Sequence, residues 1–181
     1  MGTFLGVLLS YGFVGPLGSL LELRANDAEA AFTLLDRAAR LAPRDAAIQG
    51  ALGRALTRRA DRGWGDEDVM YARAREALSR AIALEPGNVS TLVTLAEVEM
   101  GSGENPARAV ELVQRALASA PGREEYRLML GQALAVAGDY GAAAGQFRAL
   151  AARASRPDIR LAAERALLRV AEAEREASRA R

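Results

Sequence analysis

Glu124 to Pro157, EEYRLMLGQALAVAGDYGAAAGQFRALAARASRP, is the stretch from which the architecture can be read, because it sets a period on which the other segments fall. In its first half Leu130, Gly131 and Leu134 stand at i, i+1 and i+4, so one side of a helix is part bulky and part bare backbone. Gly138 and Asp139 interrupt that helix. In the second half Ala143, Phe147 and Leu150 stand at i, i+4 and i+7, the apolar stripe of a second amphipathic helix. Two helices in a tight antiparallel hairpin approach closely only where a side chain is missing or is a methyl group, which gives Gly131 and Ala143 their role. Phe147 then fills the space between neighbouring hairpins.

The stretch resembles a tetratricopeptide repeat. That pattern is a helical hairpin of about 34 residues reading Trp-x2-Leu-Gly-x2-Tyr, then Ala-x3-Phe, then Pro. Leu130-Gly131, Leu134, Ala143 and Phe147 match at the right spacings, while Arg127 replaces the tryptophan and Ser155 the proline, with Pro157 two residues later. The pattern recurs upstream. Asp45 precedes a helix carrying Ile48, Leu52-Gly53 and Leu56, answered by Tyr71, Ala74, Leu78 and Ala81 before Pro86. Asn88 precedes Val93, Leu95-Ala96, Val98 and Met100, answered after Asn105-Pro106 by Ala109, Val113 and Ala116 before Pro121. The resemblance implies an all-α fold of antiparallel hairpins stacked as a short right-handed solenoid. It also implies a non-enzymatic scaffold that binds a segment of another protein.

Half of the 181 residues are apolar and only 5% are aromatic. Alanine has the highest helix propensity and lets backbones approach, whereas β-branched residues are too few here for a sheet. The net charge is +1 with acids and arginines interleaved, so no basic field exists to neutralise a phosphate backbone, and nucleic acid is excluded as the expected partner. Cysteine, histidine and lysine are absent. Thiolate and imidazole metal ligands, the usual general base near neutral pH and the Schiff-base amine are therefore missing, and neither a cofactor nor a metal is expected. An enzyme would need a pocketed cluster of carboxylates, whereas the acids here fall on helix faces or in the run Asp66-Glu67-Asp68. Arginine without lysine, beside so much alanine, is the expected imprint of a GC-rich genome.

Residues 1–21, MGTFLGVLLSYGFVGPLGSLL, carry no charged side chain, and about 20 such residues suffice to cross a bilayer as a helix. A cleaved secretory signal fits poorly, since no basic residue precedes the apolar run and no small-x-small site follows it. The first positive charges, Arg24, Arg37, Arg40 and Arg44, would place the C-terminal side in the cytoplasm. The run from Gly2 to Leu17 resembles the last transmembrane helix of the MotA-type stator subunit of the flagellar motor, with Pro16 at that helix's proline. The match covers about the first 23 residues, and the other membrane helices and the large cytoplasmic loop of that family are missing. A lone helix makes no channel, so the segment reads as a fusion, truncated-frame or start-site relic. A second reading treats Leu17-Gly18 and Leu21, then Asn26-Asp27 and Ala30, Ala31, Leu35 as a degenerate first hairpin, with Asp27 as an N-cap and Ala31, Leu35, Ala38 and Pro43 as its second helix. The expected organisation is thus an apolar N-terminal helix over 1–23, a repeat array over 24–157 and a capping helix over 158–181. In that last helix Ile159, Ala163, Ala166, Val170, Ala173 and Ala177 line one side and charged residues the rest. The repeats are expected in the cytoplasm, free or tethered to the inner membrane, the alternative role being a tethered adaptor in a motility assembly.

Pro43 and Pro86 are 43 residues apart, against 35 from Pro86 to Pro121, so an insertion lies near residues 58–68. It holds Gly63-Trp64-Gly65 and the acids Asp61, Asp66, Glu67 and Asp68. Trp64 reads either as a contact anchor or as a cap on the hairpin edge. The acids read either as a cation site, without the ligand ladder of an EF-hand, or as the start of the next helix, where the macrodipole favours them.

In tetratricopeptide arrays the first helix of each hairpin lines a concave groove where partner segments dock. By spacing, that groove would present Ala47, Gly50, Arg54, Thr57 and Arg58 from one repeat, Ser90, Val93, Glu97 and Met100 from the next, and Glu125, Leu128, Gln132 and Ala135 from the last. The lysines and asparagines of the clamp that holds chaperone C-termini are absent from these positions. Arg54 and Arg58 would either grip an acidic segment by forked hydrogen bonds or remain solvated charges.

Overall fold

The computed structural model describes the backbone of residues 16–179 and the side chains of residues 29–179. The described residues form eight helices and no strand: α1 (Pro16–Leu41), α2 (Ala46–Asp61), α3 (Glu67–Leu84), α4 (Val89–Ser102), α5 (Pro106–Ser119), α6 (Glu124–Val136), α7 (Tyr140–Arg153) and α8 (Pro157–Arg179). The described residues divide into two compact units, the first ending at Ala42 and the second beginning at Pro43.

In the first unit α1 runs unbroken through Asn26-Asp27, so no hairpin turn forms there and Asp27 caps no helix. Each of those two residues costs only a few tenths of a kcal/mol of helix propensity, too little to break a run rich in leucine, alanine and glutamate. The boundary drawn at residue 23 falls inside this helix. Most of the stator-like segment, residues 1–15, lies outside the described residues. Among the described residues no helix is long and apolar enough to cross a membrane.

The second unit is built from three hairpins, α2/α3, α4/α5 and α6/α7, followed by α8. Short side chains set where each hairpin begins and turns. Asp45, Asp66, Asn88, Asn105 and Asp139 each accept a hydrogen bond from the backbone amide three residues on, satisfying a donor that the first turn leaves open. Gly103 and Gly138 close α4 and α6 with φ of 66° and 82°, a conformation that side chains with a Cβ rarely adopt.

Each hairpin closes through one small and one larger residue. A Cβ on Gly131 would lie 2.5 Å from the ring of Phe147, and one on Gly53 would lie 2.4 Å from Leu78 Cγ. In the middle hairpin the same repeat positions hold Ala96 and Val113, both fully buried. The smaller valine thus leaves room for the methyl group that leucine and phenylalanine exclude. First helices stack on first helices, α2 on α4, α4 on α6 and α6 on α8, so that they share one row.

The expected insertion is taken up largely as helix. α2 runs on to Asp61, and α3 spans 18 residues where α5 has 14, leaving a short turn around Trp64. Arg58 to Asp61 carry no helix breaker, so the helix continues until Gly63 and Gly65.

At the far end Ile159, Ala163, Ala166 and Val170 of α8 cover Phe147 and Leu150 of α7. Ala173 and Ala177 stay half-exposed. The outer face of α8 is less polar than expected, because Leu161 and Leu168 stand 47% and 68% exposed among its charges.

Candidate functional site

The row of first helices positions the expected groove residues unequally. Ala47, Arg58, Ser90, Glu97 and Gln132 are exposed, while Arg54, Val93, Met100, Glu125, Leu128 and Ala135 are half-buried. Thr57 and Gly50 are buried. Thr57 Oγ1 donates to the Gly53 carbonyl at 3.0 Å, a bond to the preceding turn of its own helix that leaves the hydroxyl no donor for a partner. Gly50 faces Thr91 of α4, with Arg54 lying over it. Arg54 and Arg58 form no ion pair among the described residues. Glu125, by contrast, is engaged by Arg156 of the α7–α8 turn.

The centre of the row is acidic. Tyr71 Oη donates to Asp61 Oδ1 at 2.9 Å, and the phenol is pushed up to about 12, chiefly by burial and then by the hydrogen bond to Asp61. The Glu97 carboxyl, exposed at its residue yet crowded by neighbours, is raised from its ordinary value by loss of hydration first and by the charge of Asp61 second. By sequence Asp61 falls in an inserted loop. The continuation of α2 instead brings its charge to bear on Glu97, 36 residues away in the chain.

Beyond the expected residues, α8 borders the end of the row. Gln132 and Ala135, with Val136, Tyr140 and Phe147, line an open, mostly apolar cavity of about 330 Å³ that Ala166, Arg169, Val170 and Ala173 complete. Read as a cap, α8 gave no signal of this. Its apolar stripe is shared between burying Phe147 and bordering the cavity.

Trp64 is 38% exposed, with the Arg62 guanidinium 5.1 Å from its ring centroid, a cation–π contact at the hairpin tip. Asp66 caps α3, and Glu67 and Asp68 sit in its first turn. Among the described residues no cluster of acids is arranged to hold a metal.

One buried charge escaped the sequence reading. Glu99 occupies the repeat position held by Leu56 in α2 and Leu134 in α6, yet its side chain is 1% exposed. Arg75 Nε of α3 donates to its Oε2 at 3.0 Å, and Arg108 Nη1 of α5 stands 3.3 Å from Oε1. The arginines also reach Ser102 and Ser79, at 2.8 and 3.0 Å. A lone acid in an otherwise apolar repeat position was the available signal.

No protein-family model matches this chain, and no curated protein matches it either. Solved structures do. A thermophilic TPR protein of Thermus thermophilus aligns over 81% of this chain and 76% of its own, with a TM-score of 0.64 at 20% identity. A putative kinesin light chain of Podosopora anserina with nearly identical TPR-like repeats aligns over 87% and 83%, with a TM-score of 0.64 at 20% identity. MamA aligns over 93% and 99%, with a TM-score of 0.58 at 15% identity. At such identities the likeness establishes the fold, an all-helical solenoid of tetratricopeptide type.

Proposed function

We propose that this chain, with its tetratricopeptide-type fold, is a non-enzymatic scaffold that holds a segment of another protein along the row formed by α2, α4 and α6. The observation that carries this reading is the graded face itself. Arg54 and Arg58, without an ion pair among the described residues, lie at one end, half-buried Val93 and Met100 around acidic Glu97 in the middle, and Leu128 and Gln132 lead into the apolar cavity. Such a surface offers an apolar anchor flanked by charges of both signs, the composition by which a peptide is oriented as well as held. Arg54 and Arg58 would pair with acidic residues of the segment.

Photo-crosslinking in the source cell tests it. A benzophenone side chain at Glu97 or Met100 is expected to give discrete protein adducts, and one at Glu111, exposed on α5, none. Equal yields from both faces would remove the groove from the reading. Arg54→Ala with Arg58→Ala should weaken the adducts, and unchanged yields would remove the acidic segment.

A second reading rests on the uncharged run over residues 1–21, which would tether the repeats to a membrane. Carbonate-washed membranes should then retain the full chain and release one starting at Arg24. Equal partition of the two would end that reading.

A further inference from the structure

The outer face of α8 is built as the complement of itself. At about 100° per residue, Leu161, Arg165, Leu168, Glu172 and Arg175 fall within one stripe, opposite the buried stripe that runs from Ile159 to Val170. Glu164 borders it. All six are exposed, and the four charged ones form no ion pair among the described residues. Two exposed leucines two turns apart, on a helix face that is otherwise charged, ask for cover.

We propose that this face binds a second copy of itself, two α8 helices pairing antiparallel about a two-fold axis at Leu168. An isologous contact sets residue i against j and j against i. With Leu168 on its own copy at the axis, Arg165 falls beside the partner's Glu172 along one edge, and Glu164 beside the partner's Arg175 along the other. Each pairing occurs twice, so four opposite-charge contacts flank the leucine centre. A shift of the axis by a full turn to Glu164 would set Glu164 against its own copy and leave Glu172 unmatched. The charges therefore choose one register. Leu161 closes each end of the contact against the stem of the partner's Arg175. One helix face buries an area at the small end of stable interfaces, so the association is concentration-dependent, in the micromolar range. It leaves the row of α2, α4 and α6 free, and holds whether or not that row binds a partner.

Sedimentation velocity of the full chain over rising concentration tests the pairing, with circular dichroism of each variant as the control for folding. The expected result is a monomer–dimer equilibrium weakened by about 100-fold on Leu168→Glu. Arg165→Glu or Glu172→Arg alone should each weaken the dimer by about tenfold or more, since each change acts twice, and the two together should restore it. A chain that stays monomeric at every concentration overturns the proposal. So does association that survives Leu168→Glu, which would assign it to another surface. Charge reversals that fail to rescue each other overturn the antiparallel register.

Discussion

Glu97 shows how a single residue of α4 carries the cost of its neighbours. Its carboxyl loses hydration and faces Asp61, so the folded chain holds its proton more tightly than the unfolded chain does. As pH rises from the unfolded carboxylate value of about 4.3 towards the folded one, the unfolded state releases its proton first and stability falls; above that window the deficit is constant. Glu97→Gln should therefore stabilise the protein at neutral pH, and the gain should vanish below about pH 4. Urea unfolding of both chains at the two pH values checks this, and a gain that persists in acid would point to packing instead. Spacing put Glu97 on the exposed side of its helix, but did not give its interaction with Asp61. That depends on how far α2 continues, which local propensity alone does not set.

Among the helices, three meet on one buried acid. Glu99 ties α4 to Arg75 of α3 and Arg108 of α5, so it joins the second helices of two consecutive hairpins. Removing one member of a buried pair is costly mainly when the charge left behind stays buried. Arg75 and Arg108 are 20% and 37% exposed, so both can turn to water once the acid is gone. Glu99→Ala, which leaves a cavity and takes from Arg108 its carboxylate while Arg75 keeps Glu104, is expected to cost about 3 kcal/mol. Glu99→Leu, which copies Leu56 and Leu134, should cost about 1 kcal/mol or less. Urea unfolding distinguishes them, and equal losses would show that charge and not volume governs the site. Helix starts and stops were largely legible, because Asp45, Asp66, Asn88, Asn105 and Asp139 signal by local hydrogen bonding. The path of residues 16–41 was not, since weak breakers such as Asn26-Asp27 yield to a helix-forming context.

Across the stacked hairpins, stability is a sum of hairpins and the contacts between neighbours. α8 supplies Ile159, Ala163, Ala166 and Val170 to the cluster that holds Phe147 and Leu150, so a chain ending at Arg156 uncovers the largest buried side chain. That truncation should cost about 3 to 6 kcal/mol by the apolar area exposed. Trp64 is the single tryptophan and sits on the α2–α3 hairpin, at the other end of the stack. Its fluorescence transition should therefore move less than the loss of helix seen by circular dichroism. Coincident shifts would mean that the three hairpins unfold as one cooperative unit.

The helical class, the hairpin period and the need for small residues such as Gly131 and Ala143 were already written in the chain, because each follows from spacing within one repeat, whereas the seating of Leu78 on Gly53 and of Phe147 on Gly131 came from packing. Which of the spaced residues are exposed was decided by packing. It buried Thr57 and Gly50, brought the charge of Asp61 to Glu97, set a cavity between α6 and α8 and buried Glu99 between two arginines. Those outcomes depend on how one hairpin rests against the next, and a repeat pattern records that only as a position, not as a neighbour.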